Sequence, residues 1–201
     1  MPPAALHIQV RTFVAIELPA AVRTALAELQ TALRATALPL RLTAPEALHL
    51  TLAFVGEIPA VRVADLTAAV AGGAQGVGPF VLRAEGVGMF PNARAPRVVW
   101  AGVEGDPDAL ARLTNLRATL VRELAAAGFP ADRRFDPHLT LARVRDGASP
   151  ADRAAIGAAV QALPSLSAVA FPVPAVSVMR SDLQSGGAVY SRLAEVVLRE
   201  A

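Results

Sequence analysis

Apolar and polar positions along the chain divide it into stretches with strand-like alternation and stretches with a helical stripe. RTFVAIEL (11–18) reads as a β-strand, and Pro19 sits where a first helical turn would begin. AAVRTALAELQTALRAT (20–36) then puts Val22, Leu26, Leu29 and Leu33 on one helical stripe. After a loop around Pro39 and Pro45, HLTLAFV opens a strand at position 49. A helix over about 59–71 is stopped by Gly72 and Gly73, and PFVLRAEGVGMF (79–90) reads as a strand before the turn PNARAP (91–96).

The second half restates this order. RVVWAGVEG (97–105) is a strand, and residues 106–128 form a long helix opened by Asp106 and Pro107 and closed by Gly128. RFDPHLTLARVR follows as the matching strand, then a shorter helix over about 150–162. VAFPVPAVSVMRSDL (169–183) and AVYSRLAEVVL (188–198) close the chain as strands around a Gly186–Gly187 turn. The pattern predicts a single α+β domain over 1–201, built as two similar lobes with a boundary near 91–97. Antiparallel-rich sheets would face a central cleft, helices would pack outside, and a pseudo-twofold axis would relate the lobes.

Composition narrows the function. With 201 residues and 54% apolar content the chain can bury a sizeable core, yet no apolar run approaches the roughly 20 residues of a membrane span. No basic segment followed by an apolar block marks the N-terminus, so a cytoplasmic protein without membrane association is expected. There is no cysteine, which removes disulfides, thiolate nucleophiles and cysteine-ligated metals. The formal charge is +2 and the isoelectric point near 10.3, because all 19 basic residues are arginine. Nucleotide composition of the source genome accounts for arginine and alanine together, so the high isoelectric point by itself says little about nucleic-acid binding. Any phosphate contact must therefore come from arginine forks, histidine, hydroxyls or backbone N–H groups.

Two of the three histidines head the same tetrad, His49-Leu-Thr-Leu and His138-Leu-Thr-Leu. On a strand, His49 and Thr51 share one face, about 7 Å apart, while Leu50, Leu52 and Phe54 share the other. His138 and Thr140 repeat the arrangement. Across a pseudo-twofold axis, two imidazoles and two hydroxyls would converge. Paired histidines suit phosphoester cleavage: a neutral imidazole takes a proton from the nucleophile and an imidazolium protonates the leaving oxygen. The hydroxyls would hold non-bridging oxygens, and no metal or other cofactor is called for. One His-x-Thr on a strand is usually a satisfied, half-buried polar pair; two in matching strands are not so easily dismissed. A two-histidine metal site is the nearest rival, but no carboxylate flanks both motifs; Asp136 lies near one and Glu57 near the other.

These residues resemble the 2H phosphoesterase superfamily, in particular its bacterial RNA 2′,3′-cyclic phosphodiesterases, also called 2′-5′ RNA ligase-like proteins. RTFVAIELP, HLTLAFVGE, GVGMFPNARAPRVVWAGV, FDPHLTLARVR and SDLQSGGAVYSRL carry the likeness in that family's order. The resemblance implies metal-independent hydrolysis of RNA 2′,3′-cyclic phosphate ends to 2′-phosphomonoesters, and 2′-5′ ligation when a 5′-hydroxyl replaces water. It implies His49 as proton donor to the 3′-oxygen, His138 as proton acceptor, Thr51 and Thr140 as phosphate holders, and Arg143 as a substrate-binding residue. Simple alternation puts Arg143 on the leucine face, so either the strand bulges before it or it is a surface cation. Arg133, Arg134 and Arg145 add positive charge nearby. Phe13 either packs in the core or offers a ring for a base to stack on. His7 lies outside any motif. The expected partner is an RNA 3′ end bearing a 2′,3′-cyclic phosphate, or a nucleotide; no protein partner is implied, and the protein is expected to be a monomer. Two other functions compete: a relative acting on another cyclic or 2′-5′-linked nucleotide phosphate, and a non-catalytic RNA-end binding module.

Overall fold

The computed structural model describes residues 8–130, 132, 134–184 and 187–200; His7, Arg133 and Gly186 lie outside the described residues. The elements run β1 (Gln9–Glu17), α1 (Ala20–Ala35), β2 (Leu40–Leu42), β3 (His49–Pro59), α2 (Val63–Ala74), β4 (Phe80–Phe90) and β5 (Val98–Glu104). They continue with α3 (Pro107–Ala126), β6 (His138–Val144), α4 (Pro150–Gln161), β7 (Val169–Val173), β8 (Ala175–Gln184) and β9 (Gly187–Val197). All pairings are antiparallel in one sheet of order β7-β4-β5-β6-β3-β1-β8-β9, with β2 added on β6.

The sheet is symmetric about the pair β6–β3, the two tetrad strands, and this matches the expected two-lobed α+β fold. The lobes are not the sequential halves on either side of 91–97, however. β4, from the first half, pairs with β5 and β7. β8, from the second half, pairs with β1 and β9. The first half lends β2 and β4 to the β6 side of the sheet, and the second half lends β8 and β9 to the β3 side. Alternation shows that a strand forms; it carries no information on a partner far away in the chain.

A second correction concerns VAFPVPAVSVMRSDL, read above as one strand. Pro174 divides it, and the two pieces lie toward opposite ends of the sheet, β7 on β4 and β8 on β1. Proline has no N–H to give a ladder; the Pro174 carbonyl instead accepts from the Leu198 N–H at 2.8 Å. The three-residue β2 falls in the stretch read as loop, too short to leave a periodic signal.

Helices and the apolar strand positions share one continuous core that includes Leu26, Leu50, Leu116, Leu139 and Val178. Fully burying each such side chain contributes about 1.5–3 kcal/mol. Gly73 does not stop α2, which runs on to Ala74; it is where α2 meets α3, and a Cβ there would sit 2.7 Å from the Leu120 Cα. On α1 the stripe Val22, Leu26, Leu29 and Leu33 is buried as expected, but Gln30 is buried with it. Its Nε2 donates to the carbonyls of Thr43 (2.6 Å) and Leu141 (2.9 Å).

Leu141 marks an irregularity in β6. Val99 faces Ala142 and Trp100 faces Thr140, so Leu141 is an extra residue against β5. The equivalent residue in β3 is Leu52, because Val14 faces Ala53 and Ala15 faces Thr51. Such a bulge resets which face the following side chains take. Gln30 and the Thr43 N–H (2.9 Å) together satisfy the Leu141 carbonyl.

Gln30→Leu keeps the volume but strips the clamp, leaving buried carbonyls short of a donor. The expected cost is about 1–3 kcal/mol, read as a lower urea midpoint at unchanged slope. A midpoint equal to that of the parent protein would show that the clamp adds nothing.

Candidate active site

β3 and β6 are joined through one pair, Leu50 opposite Leu139. Both leucines are fully buried. In an antiparallel pair the residues before and after this point turn to the other face, with His49 toward Thr140 and Thr51 toward His138. All four are half-buried. The structure thus brings together the four residues expected from the tetrads.

Both imidazoles are oriented by the same local device. Nδ1 of His49 donates to the Ala47 carbonyl at 2.7 Å, and Nδ1 of His138 donates to the Asp136 carbonyl at 2.6 Å, each two residues back. A carbonyl only accepts, so the Nδ1–H tautomer is set and Nε2 is left to exchange protons. Nε2 of His49 lies 2.9 Å from the Thr51 Oγ1, whose hydroxyl donates to it while the ring is neutral. The Ala47 carbonyl comes from a single 3₁₀ turn, Pro45–Ala47. The loop before His138 is tied to α3 by Arg117, whose Nη2 donates to the Asp132 carbonyl and whose guanidinium lies 5.5 Å over the Phe135 ring.

The bulges decide what stands beyond the tetrads. After Leu141, Arg143 returns to the open face and is exposed, which resolves the conflict between simple alternation and a substrate-binding arginine. Its charge is felt at His49. By the same shift Phe54, placed above with Leu50 and Leu52, is 52% exposed while they are 0% and 2%. Phe54 and Arg143 are therefore counterparts, an aromatic in one lobe and a cation in the other.

The walls differ as well. His49 touches Phe13 (ring centroids 4.8 Å) and Tyr190 (5.2 Å, edge-on). His138 meets Phe90 edge-on at 5.0 Å, and Phe90 leans on Trp100 at 5.1 Å. Trp100 lies over Gly88, where a Cβ would collide with the indole. Phe13, weighed above as a stacking platform, is 3% exposed and packed with Ala15 and Met179. No face of its ring is free for a base; it supports the His49 ring instead.

Burial holds the His49 pKa below its ordinary value, and the positive charges of His138 and Arg143 act in the same direction. The Ala47 carbonyl and Glu17 oppose them. Glu17 lies directly across from His49 in the β1–β3 register. Its carboxylate accepts from the Ser177 hydroxyl at 2.6 Å and lies 3.4 Å from the Arg192 guanidinium. Sequence reasoning missed Glu17 and Gln30. For Gln30 a signal existed, an amide in the middle of an apolar stripe; for Glu17, at a strand end, there was none. Among the described residues, no group of three histidine or carboxylate side chains is placed to hold a metal ion, and no helix is long and apolar enough to cross a membrane.

The description "LigT like Phosphoesterase" matches the chain twice, over residues 16–100 and 104–190, one tetrad in each match. The RNA 2′,3′-cyclic phosphodiesterase of Thermus thermophilus is 37% identical over 195 residues, covering 94% of this chain and 90% of that protein. That of Methanothermobacter thermautotrophicus is 31% identical over 184 residues, covering 92% and 96%. Among solved structures, one from Thermus thermophilus superposes with a TM-score of 0.74 at 35% identity, covering 94% of this chain and 98% of that one. Escherichia coli LigT complexed with 3′-AMP gives 0.72 at 27% identity, covering 96% and 100%.

The depressed His49 pKa has a consequence for stability. The unfolded chain binds this proton more readily than the folded one, so stability rises with pH between the folded value and the unfolded value of about 6.5. Acidification through that window removes the contribution. His49→Gln should therefore show a smaller loss of urea midpoint between about pH 7 and pH 5 than the parent protein. Equal losses in both would contradict the assignment.

Proposed function

The chain belongs to the LigT-like phosphoesterase family, and from that premise we propose that it hydrolyses 2′,3′-cyclic phosphates at RNA 3′ ends to 2′-phosphomonoesters. The observation that carries this reading is the facing pair of tetrads, with both Nδ1 atoms committed to backbone carbonyls and both Nε2 atoms left for proton transfer.

The chemistry follows from the groups present. Nε2 of His138 takes a proton from water as its oxygen bonds to phosphorus. The bond from phosphorus to O3′ breaks, and Nε2–H of His49 delivers its proton to that oxygen. The 2′-ester bond remains, so the product carries a 2′-phosphate and a 3′-hydroxyl. Exchange with solvent restores the two histidines. Thr51, Thr140 and Arg143 hold the non-bridging oxygens and their developing charge. A 5′-hydroxyl in place of water gives a 2′-5′ linkage by the same proton transfers. No step requires a metal ion.

His49 must be protonated to act as the acid, yet burial and the neighbouring Arg143 cation oppose its charge in the free protein while His138 stays neutral as the base. The anionic substrate, seated against Arg143, reverses the balance. Binding and acid activation are thereby coupled: the imidazolium becomes favourable when there is a phosphate to serve. Phe13 and Tyr190, against the His49 ring, hold it in place for the transfer.

A short RNA with a 2′,3′-cyclic phosphate, incubated with the protein in excess chelator, should gain one water and match a 2′-phosphate standard by mass spectrometry and chromatography. Without conversion by folded protein, another cyclic phosphate or binding alone becomes the reading. His49→Ala and His138→Ala should each lose on the order of 10²–10⁴-fold in turnover.

The pH profile should be bell-shaped, because the reaction needs one histidine charged and the other neutral. Because the free-protein pKa of His49 is depressed, the limb that His49 sets should lie at lower pH in kcat/KM than in kcat. Coincident limbs would argue against the coupling, and a flat profile against the two-histidine mechanism.

A further inference from the structure

β3 pairs with β6 only at Leu139, and beyond the bulge β2 takes its place, pairing at residues 142–144. This sets Arg41 directly opposite Arg143. Like charges directly opposed across a ladder cost stability, and neither guanidinium has a carboxylate within ion-pairing distance among the described residues. Some exposed arginines elsewhere do have such partners, as in Arg62–Asp65 (3.2 Å), Arg112–Asp108 (2.8 Å) and Arg180–Asp182 (2.8 Å).

Two grooves meet at Arg41. One, of about 480 Å³, is lined by Arg41, Arg97, Arg143 and Arg153 with one carboxylate, Asp146. The other, of about 310 Å³, is lined by Arg34, Arg41 and Arg145 over a leucine floor, with no carboxylate. Arg153 is fixed by donation from Nη1 to the Pro96 carbonyl at 2.9 Å. Six arginines and one aspartate thus form a track that starts at Arg143, beside the histidines, and leads away along β2. Neither groove has an aromatic side chain in its lining.

We propose that this track holds the RNA strand on the 5′ side of the reacting end, with successive backbone phosphates on Arg41 and Arg97 and then on Arg34 and Arg145. The proposal rests on the function proposed above and deepens it: the substrate is a chain rather than a mononucleotide. A polymer with a phosphate at each residue supplies the repeated anions that the track lacks, and guanidinium forks grip phosphate from two sides. With no aromatic platform in the track, its contacts are to the backbone and do not read sequence. A cyclic mononucleotide reaches the tetrads alone, whereas an oligonucleotide reaches both.

The test compares a 2′,3′-cyclic mononucleotide with a short oligoribonucleotide carrying the same end, in the parent protein and in an Arg41→Gln/Arg97→Gln variant. The parent should favour the oligonucleotide in kcat/KM, and the variant should lose about tenfold or more of that preference. The dependence of log kcat/KM on log salt for the oligonucleotide should flatten by about 1.4, two single-strand phosphate contacts at about 0.7 each. In parallel, fluorescence anisotropy of an RNA ending in a 2′-phosphate reads the track without turnover. If neither substrate is hydrolysed, the function proposed above fails, and the anisotropy decides the track by itself. Weaker, less salt-dependent binding by the variant supports the track; an unchanged preference, slope and affinity overturn it. Polyglutamate that displaces this RNA as well as unlabelled RNA does would also overturn it, giving the track to an acidic polypeptide.

Discussion

Everything at the site depends on the pairing of Leu50 with Leu139. This one bridge joins the two halves of the sheet, and it joins them through the same position of the same motif. Because side chains alternate along strands, burying these leucines turns both histidines and both threonines to the opposite face. The hydrophobic effect thereby places polar groups that do not attract one another. A one-residue slip would bury the imidazoles and expose the leucines, so the core that stabilises the fold also enforces the register of the two tetrads.

The near-symmetry built this way is broken by what surrounds it. The matching bulges at Leu52 and Leu141 return the next side chains to the open face, and there the halves diverge, Phe54 in one and Arg143 in the other. His49 is enclosed by Phe13 and Tyr190, while His138 has Phe90 and lies at the cationic side. Acid–base catalysis needs two groups of the same kind in different protonation states. The unlike walls distinguish the two histidines: burial, with Arg143 acting in the same direction, lowers the proton affinity of His49.

The second layer explains how the bulges and rings are held. Gln30 reaches from α1 to the Leu141 carbonyl, beside the residue whose insertion aims Arg143. Arg117 reaches from α3 to the loop that carries the Asp136 carbonyl. Gln30 meets a carbonyl with each amide N–H, whereas Arg117 donates through Nη2 and leaves its Nε buried without a partner. Each of these two joins a helix to the strand it orients, so the helical layer is part of the site's geometry and not only a cover for the sheet.

The amino-acid sequence by itself determined the elements and the chemistry. Period-two and period-3.6 patterning located the long strands and the four helices, because burial of one face writes that period into the residues. The repeated tetrad singled out His49, Thr51, His138 and Thr140, because few other uses of so rare a residue call for it twice in one context. Tertiary structure decided the pairing of strands: β2 and β4 cross to one lobe and β8 and β9 to the other, Pro174 splits one apparent strand between opposite ends of the sheet, and Phe13 is sealed beneath His49. It also decided the direction of Arg143 and Phe54, since a bulge exists only relative to the strand alongside. Local periodicity records which side of an element is buried, but not by what. Partner choice, insertion against a neighbour and the depressed proton affinity of His49 are properties of residues distant in the chain, and they come into being only when the sheet closes around Leu50 and Leu139.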